Sequence, residues 1–245
     1  MKHTALLLLG LCLAGLVLAD DEKAARDPQA LEILQKADGA IKAVDSVSYD
    51  CKSTPTGVAT NFVQAAEGSI VMSGWNGGLP QKFYSKVKTN NAEGTAIEIE
   101  GGGDGDMFFI IDHGTKKGYE DMDPGVFGST GSSLQALAML EFVHEAPFDD
   151  ELGAEEVQLL GEEKVGDEEC YKVLVVYSGG RGKSTWLFSK KDLLPRGRIQ
   201  IFSTPQGEGS IERYITNLDT SPALTASRFR MKLPEGYEQI DDFAP

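Results

Sequence analysis

The chain has 245 residues, of which 23 are Lys or Arg and 38 are Asp or Glu, for a formal net charge of −15. A field of that sign repels phosphate backbones, and the cations are scattered along the chain, so nucleic-acid binding is excluded as a function class. The length, with 41% hydrophobic residues, suits one domain with a sizeable core.

Residues 5–19 follow Lys2 without a charged side chain and then meet Asp20, Asp21 and Glu22 at once. The run stops short of the about 20 apolar residues that a membrane span needs, and Val17-Leu18-Ala19 offers the small and aliphatic residues that signal peptidase reads. The expectation is a secretory leader over residues 1–19, cleavage after Ala19, and a periplasmic or secreted single domain over residues 20–245. Cys12 follows Leu11 where a lipidation site wants a small residue, so no lipid anchor is expected. Beyond the leader, Cys51 and Cys170 can either form a disulfide in an oxidising compartment or stay as buried thiols in alternating strands, and geometry decides between the two.

Asp27-Pro28 opens a helix: a side-chain acceptor followed by a ring already set at helical φ. Leu31, Leu34, Ala37, Ile41 and Val44 recur every three or four residues, which predicts one apolar stripe on a helix running to about Val44. Strands follow: Val47, Tyr49 and Cys51 alternate with polar residues, and β-rich runs recur at 60–64, 69–75, 81–89 and 95–100. Met107-Phe108-Phe109-Ile110-Ile111 is apolar at every position, which predicts a central strand either covered on both faces or facing a cavity on one. After residues 117–122 a glycine-rich link over 124–131 leads to Leu134, Leu137, Ala138, Leu140, Glu141 and Phe142, spaced as a second short helix ending before Pro147. Hairpin strands then follow at 156–164, 169–177, 183–189, 196–202 and 210–218. Their connections are too short for parallel crossovers, so neighbours pair antiparallel. The fold class is α+β: about ten antiparallel strands in one strongly curved sheet, with the helices against its concave face.

Motifs with chemical meaning are sparse. Gly180-Arg181-Gly182-Lys183-Ser184 resembles the end of a phosphate loop, but the leading glycine would fall on Tyr177 and a strand follows where a helix is required, so it reads as a hairpin turn. The Gly101 to Asp106 stretch breaks a calcium repeat at Met107 and lacks a later glutamate at EF-hand spacing, so it reads as a flexible connection. Glu141 and His144 have the spacing of a carboxylate-bridged metal site without the second copy such a site needs. With two histidines beyond the leader, His113 and His144, and no Cys-x-x-Cys, H-E-x-x-H or G-x-S-x-G, no catalytic residue, metal site or cofactor is expected. Strands carry Trp75, Phe83, Phe108, Phe109, Trp186, Phe188, Phe202 and Tyr214, large side chains that either fill a core or line a cavity between bent sheet and helical lid.

The second half, with Gly161-Glu162-Glu163-Lys164-Val165-Gly166-Asp167-Glu168-Glu169-Cys170-Tyr171 and Thr185-Trp186-Leu187-Phe188 leading to Leu194-Pro195-Arg196, resembles the LolA-like superfamily of exported lipoprotein and lipid carriers and envelope sensors of RseB type. Asp219, Phe229, Leu233 and the closing Pro234-Glu235-Gly236-Tyr237 fit as well, as does the N-terminal helix running into Ser46-Val47-Ser48-Tyr49. The resemblance implies an unclosed β-barrel lidded by helices around a hydrophobic cavity. It also implies acyl chains of a lipid or lipoprotein as partners, with envelope membrane proteins as further partners. Leu34, Phe83, Phe108, Ile110, Trp186 and Phe188 are the expected cavity-lining residues. Two other readings remain open: a protein-docking or stress-sensing module with a packed core, and a hydrolase in which His113 or His144 reaches a serine or carboxylate in a cleft.

Overall fold

The structure, a computed structural model, describes residues 25–77, 79–90, 93–123, 125 and 136–241. The leader, its cleavage position, the 124–131 link except Gly125, and Leu134 lie outside the described residues. Helix α1 spans Pro28–Ile41. Asp27 caps it by accepting the Gln29 N–H at 2.8 Å, and Ala30, Ile33, Leu34, Ala37 and Ile41 form its buried stripe. It ends one turn before Val44, whose N–H closes a turn on the Ile41 carbonyl before the first strand begins at Ser46.

Twelve strands form one sheet. In chain order they are β1 Ser46–Gly57, β2 Ala66–Asn76, β3 Leu79–Asn90, β4 Ala96–Gly103, β5 Phe108–Asp112, β6 Lys117–Asp121, β7 Glu156–Val165, β8 Glu168–Val176, β9 Lys183–Ser189, β10 Pro195–Thr204, β11 Gly207–Asp219 and β12 Glu238–Gln239. Their spatial order is β12-β6-β5-β4-β3-β2-β1-β11-β10-β9-β8-β7, antiparallel throughout except that β12 lies parallel to β6. The expected α+β class with a curved, unclosed antiparallel sheet is the one observed.

Four local expectations are corrected. Residues 60–64 form no strand: Val58–Asn61 is a 3-10 turn, in which the Thr60 hydroxyl donates to the Gly57 carbonyl and so takes a group a ladder would use. Gly101, Gly102 and Gly103 are not a loose connection but the end of β4, paired with β3 and β5. A Cβ on Gly103 would stand 2.6 Å from the Phe108 ring and one on Gly102 3.0 Å from the Phe109 ring, so glycine lets the two aromatic residues lie flat on the sheet. The turn falls instead at Asp104, whose carboxylate accepts the N–H groups of Asp106 and Met107.

The third correction concerns β5. It is covered on both faces, as its all-apolar sequence allows, but it is third from one end of the sheet and not central. Phe108 and Ile110 enter the main core, whereas Phe109 and Ile111 are buried on the outer face, where the C-terminal segment from Ser227 to Lys232 crosses and Leu233 lies over Gly118. The fourth concerns the second helix. The described part of 134–142 contains only the 3-10 turn Leu140–Phe142, and a short helix α2 comes later, at Asp149–Leu152, after Pro147. Side chains of the sheet take the backbone groups that a helix would use. The Tyr49 hydroxyl donates to the Leu137 carbonyl and accepts from the Met139 N–H, and Arg213 donates to the Ala136 carbonyl.

Topology explains where this segment lies. Strand β6 is next to one end of the sheet and β7 forms the other, so the chain between them must cross the sheet. Residues 136–154 do so over the face that holds the main core, where Leu137, Met139, Phe142, Phe148 and Ala154 pack with α1 and with the inward residues of β1, β3, β5, β8 and β9.

Candidate functional site: the roofed trough

All six residues expected to line a cavity are buried in this core: Leu34, Ile110, Trp186 and Phe188 are 0% exposed, Phe108 7% and Phe83 8%. They fall into groups. Phe83 and Phe108 lie 6.4 Å apart between ring centroids, on either side of Gly103. Trp186 and Phe188, two residues apart on β9, stack at 5.9 Å. Five strand spacings, roughly 24 Å along the curved sheet, separate the two pairs, so they belong to different parts of one trough. Of the other strand aromatics, Phe109 faces outward and Tyr214 packs on a separate small cluster of Val165, Cys170 and Leu187.

The trough around β9 is filled by a residue that sequence patterning missed. Phe148, fully buried between Pro147 and α2, stands edge-on to Trp186 at 5.2 Å and to Phe188 at 5.4 Å. Its only sequence signal is a lone aromatic next to Pro147 in an otherwise acidic stretch. Beneath it, the Trp186 indole N–H is buried without a hydrogen-bond partner among the described residues. Leaving such a donor unpaired costs about 1–3 kcal/mol.

Polar groups hold the roof down. Arg198, on β10, donates to Glu141 at 2.9 Å, to the Tyr177 hydroxyl at 3.3 Å and to the Ser184 hydroxyl at 3.2 Å, with its guanidinium 4.7 Å from the Trp186 ring centre. Tyr177 in turn donates to Glu151 of α2 at 2.6 Å. Burial works against the Arg198 charge, but Glu141, Tyr177 and Glu151 outweigh it and raise its pKa. Burial pushes Glu151 up from the ordinary carboxylate value and the Tyr177 phenol up to about 12. These side chains, with Trp75 and His144, line an open cleft of 610 Å³ at the edge of the roof. Alternation in β10 and the i, i+3 pair Glu141 and His144 were visible in sequence, but the partner of Glu141 is Arg198, and His144 packs edge-on to Trp75 at 4.6 Å.

The histidines do not build a hydrolase triad among the described residues. His144 Nδ1 accepts the Ala146 N–H. His113 lies on the opposite face, where Nε2 is 2.9 Å from Glu100, so the expected reach to a carboxylate is met there, and Nδ1 is 2.8 Å from the Tyr237 hydroxyl; no serine hydroxyl or thiol bonds to either ring among the described residues. Cys51 and Cys170 are both free and buried. Cys51 belongs to the main core and Cys170 to the small cluster on the other face, four strands away, which excludes the disulfide left open by sequence.

No family model and no curated protein matches the chain. Solved structures do. MucB superposes with a TM-score of 0.51 at 14% identity, covering 84% of this chain and 64% of MucB, so this chain spans less than two thirds of that protein. LprF from Mycobacterium bovis gives a TM-score of 0.51 at 12% identity, covering 87% of this chain and 99% of LprF. The likeness is one of fold: the unclosed LolA-like barrel that the sequence resemblance implied is the architecture found.

Proposed function

We propose that the chain is an exported, non-catalytic carrier that holds acyl chains of a lipid or lipoprotein in the trough beneath residues 136–152. The observation that carries this reading is the roof itself. Beside the single helix α1, the main core is covered by an irregular crossover, anchored through Arg198, Tyr49, Tyr177 and Arg213. An anchor made of exchangeable hydrogen bonds can open without unfolding the sheet. An acyl chain entering beneath Phe148 hides about 0.8 kcal/mol per methylene from water, so about twelve methylenes supply roughly 10 kcal/mol in gross terms. That exceeds the 1.5–3 kcal/mol or so lost when one phenylalanine is exposed. The unpaired Trp186 N–H supports the same reading, because an ester or carboxylate oxygen would satisfy it.

The filled trough favours a second reading, a protein-docking module whose core stays packed. Native mass spectrometry of the exported, tag-free mature protein separates the two. Acyl lipid retained by the wild type, and retained more abundantly by Phe148→Ala, supports the carrier. Lipid-free protein in both, from repeated preparations, leaves the docking module. Phe148→Ala should also lower stability by about 3–5 kcal/mol in urea titration unless lipid fills the space.

A further inference from the structure

On the outer face, away from the trough, the register of β3, β4 and the turn after β5 brings three side chains to one point. Glu98 and Glu100, two residues apart on β4, share the outer surface, and the His113 ring reaches back over them after the His113 N–H bonds the Glu98 carbonyl. His113 Nε2 lies 2.9 Å from Glu100 Oε1 and 4.0 Å from Glu98 Oε1, and one ligand atom from each residue lies within 4.8 Å of the others. We propose that Glu98, Glu100 and His113 bind one divalent transition-metal ion of the zinc class, an activity separate from the trough.

Four features support it. Zinc takes imidazole nitrogen and carboxylate oxygen at about 2.0–2.2 Å, which in a tetrahedron places ligand atoms roughly 3.4 Å apart, between the separations present. The mix of imidazole and carboxylate selects transition metals over calcium or magnesium. The Tyr237 hydroxyl, 2.8 Å from His113 Nδ1, can donate or accept, so it can hold the tautomer that leaves Nε2 free for a metal, as outer partners of ligand histidines do. The point already attracts a cation: the Lys86 ammonium sits 2.8 Å from Glu98 and 3.1 Å from Glu100. Lys86 is the ammonium in ion-pair contact with both carboxylates, while Arg228, Arg230 and Lys232 line the neighbouring cleft with Glu100. The Lys86 side chain is 40% exposed, so it can swing into water and yield its place to a dication.

Cobalt(II) added alone to the tag-free mature protein is the probe, read by its visible absorption and by isothermal titration. One ion per chain is expected, lost in His113→Gln and in Glu98→Gln and unchanged in His144→Gln. Lys86→Gln removes the competing cation and should tighten binding about tenfold, whereas Tyr237→Phe should weaken it by a similar factor. Circular dichroism of each variant checks folding, and Lys86→Gln, a predicted gain, cannot be mimicked by misfolding. Absence of cobalt binding in both the wild type and Lys86→Gln overturns the proposal, as does binding that persists in His113→Gln and Glu98→Gln or disappears in His144→Gln.

Discussion

Gly103 faces Phe83 and Phe108 across its two neighbouring strands, and a methyl group at that point would meet backbone as well as ring, 2.8 Å from the Met107 carbonyl. The ring cannot retreat into an already closed core, so Gly103→Ala should destabilise by about 1–3 kcal/mol, read as a lower urea midpoint at unchanged slope. Glu151 makes a different prediction. Burial raises its pKa in the folded protein, so the folded state holds its proton where the unfolded chain, near the ordinary value of 4.5, has released it. Stability contributed by this group is therefore present below that value and falls as pH rises through the raised one. Glu151→Gln keeps an acceptor for the Tyr177 hydroxyl without the charge. It should gain stability relative to wild type as pH is raised from about 4 to about 8, whereas a pH-independent difference would show that folding does not raise the Glu151 pKa. At this scale sequence was informative about direction only. The resemblance put Phe83, Phe108, Trp186 and Phe188 against a cavity, yet no pattern could show that Phe148 fills the space between roof and β9, because Phe148 lies in no periodic element.

The crossover over the trough is the element least legible in sequence. Leu134, Leu137, Ala138 and Phe142 have helical spacing, but the described part yields a single 3-10 turn, because Tyr49 and Arg213, from strands distant in sequence, claim the backbone at Ala136, Leu137 and Met139. Local propensity lost to tertiary hydrogen bonds that no window of neighbouring residues contains. The strands fared better, since period-two alternation and turn residues act within ten positions. β9 was placed to the residue, at Lys183–Ser189. Tyr49→Phe tests how the roof is held. It leaves the buried Met139 N–H and Leu137 carbonyl without that hydroxyl, which costs about 1–3 kcal/mol. Hydrogen exchange should accelerate across residues 136–152 while β8 and β9 stay protected. If exchange rises equally throughout, the roof is not a separable element.

At the scale of the whole molecule, the sheet consists of two antiparallel meanders, β2 to β6 and β7 to β11, joined where β1 pairs with β2 on one side and with β11 on the other. Short segments of the chain lie against both ends of the sheet: residues 25–27 bond to Val157 of β7, and the two-residue β12 adds to β6. The β1–β11 seam, with Cys51 opposite Ile215, closes a loop of most of the chain, and so it is the costliest pairing to form in entropy. The two cysteines report on it. Burial pushes the Cys51 thiol up to about 12 and the Cys170 thiol up to about 11, so neither is a nucleophile near neutral pH. Both should resist iodoacetamide in native protein produced without residues 1–19 and react only as urea unfolds it. If the seam binds the meanders into one cooperative unit, Cys51 on β1 and Cys170 on β8 are alkylated in step across the transition. Labelling of Cys51 ahead of Cys170 at low urea would instead mean that the sheet parts at the seam, with the β7–β11 meander surviving the loss of its neighbour.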